Sequence, residues 1–252
     1  MLSDEHDAFG VAMLTHLERG SGVAALERDD GFIEGHPMDG YFTTADHWPP
    51  EFVRELDELS GRVLDVGCGA GRVALYLQEH GCQVVGIDSS PAAVETSRRR
   101  GVLDARILAL QDIGPELGLF DAIVFAGNNL ALAGTPPELS GLLRRLRDVT
   151  HARSVIVADG LDPYTTDDPV HLTYHERNRA RARPGGQVTM RVRFRDRATP
   201  WFELLLRSRD ELLADLEGTG WGLRRWADSR PGWRAPEEGR TSGWVAVLER
   251  DP

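Results

Sequence analysis

The sequence predicts an α/β fold, in which a mostly parallel sheet carries helices on both faces. Between residues 62 and 160, short apolar runs alternate with segments of helical character. The runs are apolar at consecutive positions, which is typical of strands that are buried on both faces. Parallel strands joined by helices have right-handed crossovers, and these place helices on both sides of the sheet.

Five strands and three helices account for this region. The predicted strands occupy residues 62–66, 83–88, 105–110, 120–127 and 154–160, and the predicted helices occupy residues 72–81, 90–101 and 136–149. Ser90 is expected to cap the second helix, because an N-cap hydroxyl accepts a hydrogen bond from the first turn. Pro91 suits that first turn, and Gly81 and Gly101 are expected to end the first two helices.

An N-terminal helical arm or lid is predicted over residues 1–59. Apolar residues recur near helical spacing in residues 3–19, and a short helix at 51–59 follows two prolines. The stretch 27–50 has no clear period, but its aromatic side chains need burial. We therefore expect the arm to be ordered rather than a linker.

After the fifth strand, residues 161–207 are predicted to be an insertion that caps the substrate. Residues 161–186 are polar and irregular in pattern. In contrast, residues 187–195 alternate apolar side chains with arginines, as in a half-exposed antiparallel strand. The stretch 199–208 can pair with that strand, so we expect a β-hairpin within the insertion.

The C-terminal part is predicted to add one helix and two strands. Ser208 precedes the helical stretch RDELLADLEGTG, and Glu211 three residues later suggests a capping box. The strands WGLRRWA and GWVAVLER follow, joined by a loop rich in glycine and proline.

Composition and charge exclude several functional classes. The chain has 252 residues, a formal net charge of −11 and 29 basic residues, all of them arginine. This acidity disfavours binding to nucleic-acid backbones and anionic membranes, and the lack of lysine excludes Schiff-base and P-loop chemistry. Cys68 and Cys82 suggest neither a disulfide framework nor a metal site. No apolar run is long enough for a membrane span, and we expect a cytoplasmic protein.

The stretch DVGCGAGR, residues 65–72, places three glycines within five residues between a strand and a helix. With Asp88 at the end of the next strand, this pattern indicates a nucleoside site whose acid accepts from ribose hydroxyls. The dinucleotide fingerprint GxGxxG does not match, because position 72 is Arg. Asp65, near the buried end of its strand, needs a cationic or hydrogen-bonding partner.

Four motifs in order resemble those of the class I S-adenosylmethionine-dependent methyltransferases: VLDVGCGAGR, VVGIDSS, LQD and FDAIVFAGNN. The resemblance covers residues 60–160 closely, and the last helix and two strands also fit that fold. It implies a Rossmann-like sheet of seven strands with an antiparallel last strand, in a domain spanning residues 60–252. It also implies S-adenosylmethionine as the cofactor, and a zwitterionic, cationic ligand suits an acid-lined pocket.

The resemblance further implies which residues bind the cofactor. Asp65 and the glycine backbone would meet its methionine moiety, Asp88 would bind the ribose, and Asp112 would accept from the adenine amino group. To these we add Tyr41, which could close over the cofactor from the arm. The predicted cofactor set is Tyr41, Asp65, Gly67, Cys68, Gly69, Gly71, Asp88, Ser89, Gln111, Asp112, Ile113, Ala126, Gly127 and Asn128.

Candidate substrate and catalytic residues lie outside the glycine turn. Asn129 interrupts an apolar stretch, and Tyr164 and Tyr174 follow the fifth strand, so these three are predicted to contact substrate. His47 and His171 are predicted as general bases, which are needed only if the acceptor loses a proton during transfer. No metal site is predicted.

The predicted function is transfer of a methyl group to an O, N or C atom of a small molecule. An acidic surface, the lack of an appended recognition domain and an insertion able to roof a pocket favour this acceptor class. Eight arginines between Arg177 and Arg197 leave an RNA or protein acceptor open. They could instead form a solvated strand face, pair with the chain's own acids or meet a second subunit in a homodimer. A non-methylating cofactor-binding protein and an NAD(P) oxidoreductase also stay open.

Overall fold

Two sheets and seven α-helices make up the part of the chain that the computed structural model describes, residues 3–229 and 242–251. The strands are β1 Val23–Arg28, β2 Ile33–Pro37, β3 Arg62–Val66, β4 Gln83–Asp88, β5 Ala105–Ile107, β6 Phe120–Phe125, β7 Thr150–Leu161, β8 Gln187–Phe194, β9 Arg197–Ala198, β10 Phe202–Leu205, β11 Trp221–Ser229 and β12 Gly243–Arg250. The helices are α1 Ala8–Arg19, α2 Pro50–Asp57, α3 Arg72–Glu79, α4 Pro91–Arg100, α5 Pro136–Leu146, α6 Pro169–Ala180 and α7 Arg209–Leu216.

The larger sheet has seven strands in the order β11-β12-β7-β6-β3-β4-β5. Strands β3 to β7 run in parallel, while β12 is antiparallel to both of its neighbours. Helices α5 and α7 pack on one face, and α2, α3 and α4 pack on the other. The α/β fold with a seven-stranded sheet and an antiparallel last strand, predicted from the sequence, is confirmed.

Local signals set the ends of two helices as the sequence predicts. The Ser90 hydroxyl accepts from the Ala93 amide at 2.9 Å and so caps α4. Ser208 and Glu211 form a capping box at the start of α7, because each side chain accepts from the other residue's backbone amide. The glycine- and proline-rich loop between β11 and β12 lies outside the described residues.

The prediction of a helical N-terminal arm is wrong in part, because the arm also contributes strands to the smaller sheet. Its order is β10-β8-β1-β2, with β9 paired to β8, so the arm contributes two of its strands and is helical only in part. The β1 sequence, VAALER, consists largely of good helix formers and does not alternate, and pairing on both sides imposes the strand. The predicted hairpin is present as β8 paired antiparallel with β10.

Helix α6 was not predicted, because residues 161–186 are mostly polar. It begins at an N-cap, Asp168, whose carboxylate accepts from the Val170 amide at 2.8 Å. Its buried side, Tyr174, His175 and Asn178, carries polar groups that an apolar periodicity cannot reveal. We call the smaller sheet together with α6 the roof.

The roof lies against the large sheet through α1 and β10. Helix α1 contributes Ala12 and Met13 to a core cluster that also contains Val192 and Phe194 of β8. Strand β10 lies beside the 3-10 turn Asn129–Ala133, which follows β6. Among the described residues, no helix is long and apolar enough to cross a membrane.

Candidate functional site

The glycine turn at the carboxyl end of β3 is a left-handed backbone segment. Gly67, Gly69 and Gly71 have φ values of 70°, 54° and 79°, a region that side-chain-bearing residues rarely adopt. The amides of Gly67 and Cys68 both donate to the Ile87 carbonyl, at 2.8 and 3.0 Å, which ties the turn to β4. The turn therefore brings bare backbone to the carboxyl edge of the sheet, where ligands of open α/β sheets bind.

Asp65 presents a buried carboxylate oxygen at this edge. The residue is 2% exposed, and its Oδ2 atom has no hydrogen-bond partner within the described structure. Burial raises the pKa of Asp65 to about 7, with the Arg72 guanidinium acting in the opposite direction. A buried acceptor without a partner is costly, so a cationic donor placed here would remove a substantial penalty.

Asp88 lies at the end of β4, and its carboxylate accepts hydrogen bonds from the glycine turn and from the start of α4. Its Oδ2 atom accepts from the Gly69 amide at 3.0 Å, and its Oδ1 atom accepts from the Ser90 amide at 2.9 Å. Burial raises the pKa of Asp88 to about 6 despite these bonds. A carboxylate accepts about four hydrogen bonds, so both oxygens keep capacity for a pair of ligand hydroxyls. Ser89 lies partly buried beside it.

Arg72 is a cation at this edge, and in the sequence it stands out only as a departure from a glycine motif. Its Nη1 atom donates to the Gly40 carbonyl at 3.3 Å, and its guanidinium lies 5.3 Å from the centre of the Trp48 ring. It also interacts electrostatically with Asp65 and Asp159. Arg100 donates to the Ala70 carbonyl, so buried carboxylates and more than one guanidinium meet at the glycine turn.

Asp159, near the end of β7, was also missed, because an acid after a strand carries no distinctive signal. It is 5% exposed, and its Oδ1 atom accepts from the Asn128 amide at 2.9 Å. Asn128 has φ of 69°, and its side-chain oxygen accepts from the Leu161 amide at 3.3 Å. These bonds fix the bend Ala126 to Asn128 at the carboxyl edge, while its contact with the cofactor stays a prediction.

Strand β5 ends at Ile107, short of the predicted end at residue 110, and the residues after it turn away from the sheet. Gln111 and Asp112 are exposed in the 3-10 turn Leu110–Asp112, and Ile113 behind them is buried. Their role at the adenine stays a prediction. Cys68 is 6% exposed, and burial raises the pKa of its thiol well above the usual range, so it acts as a small core residue in the turn.

Tyr41 belongs to the arm and lies close to the carboxyl edge. A hydrogen bond of 2.8 Å joins its hydroxyl to Nε2 of His36, and its ring meets Phe9 edge-on at 5.3 Å. Burial raises the pKa of Tyr41, against the effect of the nearby Arg72 charge. The arm thus lies beside the glycine turn, although a contact of Tyr41 with the cofactor stays a prediction.

Two of the predicted substrate residues are engaged in structural contacts. The Asn129 amide nitrogen donates to the carbonyls of Val66 and Gly67, at 2.9 and 2.8 Å, and therefore supports the glycine turn. Tyr174 is 2% exposed, and its hydroxyl donates to Asp29 at 2.7 Å and accepts from the Thr189 amide at 3.0 Å. Both side chains thus serve the fold, and their contact with substrate stays a prediction.

Tyr164 lies on the outer side of the insertion. It is 37% exposed, its hydroxyl donates to Glu211 of α7 at 2.6 Å, and Arg179 lies 5.3 Å from its ring centre. Its contacts attach the insertion to α7, and a role of Tyr164 in binding substrate stays a prediction.

Both predicted general bases make contacts with other side chains. The His47 side chain is 64% exposed and pairs with Asp46, with 3.1 Å between Nδ1 and Oδ1. Nδ1 of His171 accepts from Arg28 at 3.0 Å, and its ring meets Phe32 at 5.5 Å. His171 thus belongs to the contact between α6 and the β1–β2 hairpin. A catalytic role for either histidine stays a prediction.

A family model described as a methyltransferase domain matches residues 63–152. These residues run from β3 into β7 and include the glycine turn, Asp88, Asp112 and the Ala126 to Asn129 segment. Together with the order of the large sheet, this match gives these residues a methyltransferase domain with the class I fold. The family resemblance seen in the sequence is confirmed.

Two curated relatives align with short parts of the chain. Ribosomal RNA small subunit methyltransferase C of Alcanivorax borkumensis is 40% identical over 93 residues, which are 36% of this chain and 26% of that protein. A ubiquinone biosynthesis O-methyltransferase of Xanthomonas oryzae is 38% identical over 74 residues, 27% of this chain and 31% of that protein. The chain thus spans less than a third of the length of either relative.

Solved structures extend the likeness of fold to the whole chain. A methyltransferase from Bacteroides fragilis, in complex with S-adenosylhomocysteine, superposes with a TM-score of 0.79 at 23% identity, covering 100% of this chain and 98% of that one. The 1,6-didemethyltoxoflavin N1-methyltransferase of Burkholderia thailandensis gives 0.58 at 14% identity, covering 100% and 92%. The arm and the roof are therefore part of the shared fold.

Proposed function

We propose that this protein is an S-adenosylmethionine-dependent methyltransferase whose methyl acceptor is a small molecule. The observation that carries the cofactor part is the unpartnered Oδ2 atom of Asp65, buried beside a left-handed glycine turn. The ammonium group of S-adenosylmethionine is a donor of the required charge. No pyrophosphate group is needed to explain the turn, because position 72 is Arg where GxGxxG requires glycine.

Each described residue at the carboxyl edge has a complementary group on the cofactor. Asp65 would hold the ammonium group, Asp88 the two ribose hydroxyls, and the Arg72 guanidinium the carboxylate of the methionine moiety. When bound, the cofactor supplies an activated methyl group on a sulfonium. The protein then contributes alignment of the acceptor and exclusion of water.

Features of the roof favour a small molecule as the methyl acceptor. Strand β10 of the roof lies beside the 3-10 turn that follows β6, and several cluster arginines are neutralised within the chain. Arg177 pairs with Asp29 at 2.8 Å, and Arg191 pairs with Glu27 at 2.9 Å. The didemethyltoxoflavin enzyme, which has the same fold over the whole chain, is described with a bound small heteroaromatic acceptor.

An RNA acceptor is the second candidate, because one relative is named as an enzyme of ribosomal RNA. The paired arginines weaken it, since counterion release requires basic groups that are available to phosphates. The net charge of −11 acts in the same direction. A protein acceptor, a homodimer and a cytoplasmic location stay predictions without a supporting observation in the structure.

Transfer of a labelled methyl group tests the proposal. The protein would be incubated with methyl-labelled S-adenosylmethionine in three parallel reactions. One contains a panel of small nucleophiles, one contains total RNA and one contains a protein extract. We expect label only in the small-molecule fraction, and none with an Asp88→Ala variant of unchanged circular dichroism. Label in RNA or protein alone would overturn the acceptor class, and full activity of the variant would overturn the cofactor site.

A further inference from the structure

Asp7 is a buried carboxylate at the start of the arm, outside the predicted cofactor set. It is 3% exposed and immediately precedes α1. Its Oδ1 atom accepts from the Ser90 hydroxyl at 2.5 Å, and its Oδ2 atom accepts from the Ala92 amide at 2.9 Å. The arm therefore places a negative charge on the first turn of α4, where the helix dipole and free amides favour one.

The same hydrogen bonds continue to the glycine turn. Ser90 donates its amide to Asp88, and Asp88 accepts from the Gly69 amide, at 2.9 and 3.0 Å. Asp7, Ser90, Asp88 and Gly69 thus form one connected polar network, which joins the arm to the acid proposed to bind ribose. Such networks respond as units, so a change at one end alters the other.

Helix α1 packs against this network at Gly10, where there is no room for a side chain. A Cβ atom at Gly10 would lie 1.8 Å from the Ser90 hydroxyl oxygen and 2.6 Å from the Asp7 Oδ1 atom. Further along α1, the Met13 side chain lies 3.4 Å from the position that a Gly69 Cβ would occupy. The helix therefore packs directly over the glycine turn, and glycine at position 10 makes the approach possible.

The Asp7 charge also acts on the acid proposed to bind ribose. It disfavours ionisation of Asp88 and contributes to its raised pKa, after the larger effect of burial. Ligand hydroxyls that donate to Asp88 would stabilise its charge and offset this effect. Because α1 packs over the glycine turn, α1 in this position would slow the departure of a ligand bound there.

We propose that Asp7 is a positioning residue that latches α1 over the cofactor site by holding Ser90 and, through it, Asp88. The latch rests on the proposed function, because its ligand is the adenosyl part of the cofactor. Asp7 acts through other residues and has no part in methyl transfer itself. Its bonds to α4 must break before α1 can move away and the ligand can leave.

A second contact between α1 and α4 provides a matched control. Glu18, in the last turn of α1, pairs with Arg99 at 2.9 Å, and both side chains are about half exposed. It joins the same two helices and carries the same charge as Asp7. An exposed ion pair contributes little to stability, and it is remote from the hydrogen bonds to Asp88.

The test measures the dissociation rate of S-adenosylhomocysteine from the full chain by stopped-flow displacement. We expect Asp7→Ala to raise the rate about tenfold, since it removes the acceptor for the Ser90 hydroxyl and the Ala92 amide. Asp7→Asn keeps one acceptor oxygen and should give a smaller increase. Gly10→Ala should resemble Asp7→Ala, because it forces α1 away from Ser90. Glu18→Gln should stay within about twofold of the unaltered protein.

Hydrogen exchange separates a latch from a general loss of stability. In the unaltered protein, S-adenosylhomocysteine should slow exchange both in α1 and in the glycine turn. In Asp7→Asn the slowing in α1 should be weakened while that in the turn remains. Unchanged dissociation rates in variants that bind normally would overturn the latch. Failure of the unaltered protein to bind would instead overturn the proposed function.

Discussion

The carboxyl edge and the roof differ in the kind of contact that stabilises each of them. At the edge, the proposed ligand-binding groups are backbone amides, three left-handed glycines and buried carboxylates. In the roof, many contacts between elements come from arginine side chains. Arg28 lies 4.2 Å from the centre of the Tyr174 ring and pairs with Asp30 at 2.7 Å, and Arg183 pairs with Glu203 at 2.5 Å.

This difference predicts how strongly each region responds to a substitution. A site made of backbone depends on φ angles that few residues adopt, so substitution there changes the shape itself. A roof joined by side-chain pairs can exchange partners and keep its strands. We therefore expect large effects of single changes at the edge and modest effects in the roof.

The largest effect is expected for Asp88→Ala. It removes the acceptor for two ligand hydroxyls and for the amides of Gly69 and Ser90. Hydrogen bonds to a charged group contribute roughly 1.5–3 kcal/mol each, so affinity for S-adenosylhomocysteine should fall at least about a hundredfold. Calorimetric titration measures this. Asp112→Ala, at an exposed acid, is the control and should cost less; equal losses would contradict the central place of Asp88.

Next in size is the effect of a side chain within the glycine turn. In Gly71→Ala the new Cβ atom would lie 2.6 Å from Val102 and 2.9 Å from Ser97, at φ of +79°. Overpacking and backbone strain together should lower the free energy of unfolding by roughly 2–4 kcal/mol. Gly81→Ala, at φ of +84° with open space around it, should cost only about 1–2 kcal/mol. Urea unfolding compares the two, and an equal cost would show that the turn is not tightly packed.

Proton release should accompany cofactor binding below pH 7. Burial raises the pKa of Asp65 to about 7, and a cation bound beside it would favour the ionised form. At pH 6 the free protein would hold about 0.9 proton on Asp65 and at pH 8 about 0.1, so binding should release a proton only at the lower pH. Calorimetry in buffers of different ionisation enthalpy measures this.

The Asp65→Asn variant isolates this residue from Asp88, whose pKa burial raises to about 6. The variant should lose most of the release seen at pH 7, where Asp88 is largely ionised. Because folding raises the pKa of Asp65, the folded ligand-free protein retains this proton to a higher pH. The stabilisation of the folded protein by protonated Asp65 therefore declines as the pH rises from about 4 to 7. Equal release by both proteins at pH 7 would exclude Asp65 as the cation's partner.

The smallest effect is expected in the roof. Tyr174→Phe removes buried bonds to Asp29 and the Thr189 amide, which should cost roughly 1–3 kcal/mol of unfolding free energy. Tyr164→Phe removes an exposed bond to Glu211 and should cost less than about 1 kcal/mol. Both should leave affinity for S-adenosylhomocysteine unchanged. A large loss of affinity in either would mean that roof and edge are not separable.

The sequence predicts the edge well because its signals are local. Gly67, Gly69 and Gly71 need left-handed backbone, and Ser90 caps its own helix, so neither feature depends on distant contacts. The carboxyl ends of parallel strands meet at one edge by topology. The positions of Asp65 and Asp88 therefore follow once the strands are recognised.

Apart from the predicted hairpin of β8 and β10, the roof escapes sequence reasoning because its contacts are long-range. Strand β1 has a helix-forming composition, and only its pairing with β2 and β8 makes it a strand. The buried hydroxyl of Tyr174 depends on a partner 145 residues away, Asp29. The contact of His171 with Arg28 is likewise long-range and has no signal in the sequence.

The most direct test of the central claim is calorimetric titration with S-adenosylhomocysteine, alongside a parallel titration with NADH. The account predicts saturable binding of S-adenosylhomocysteine at pH 8, loss of that binding in Asp88→Ala, and no binding of NADH. Binding of NADH alone would contradict the account, because the turn would then hold a dinucleotide and the function would have to be hydride transfer.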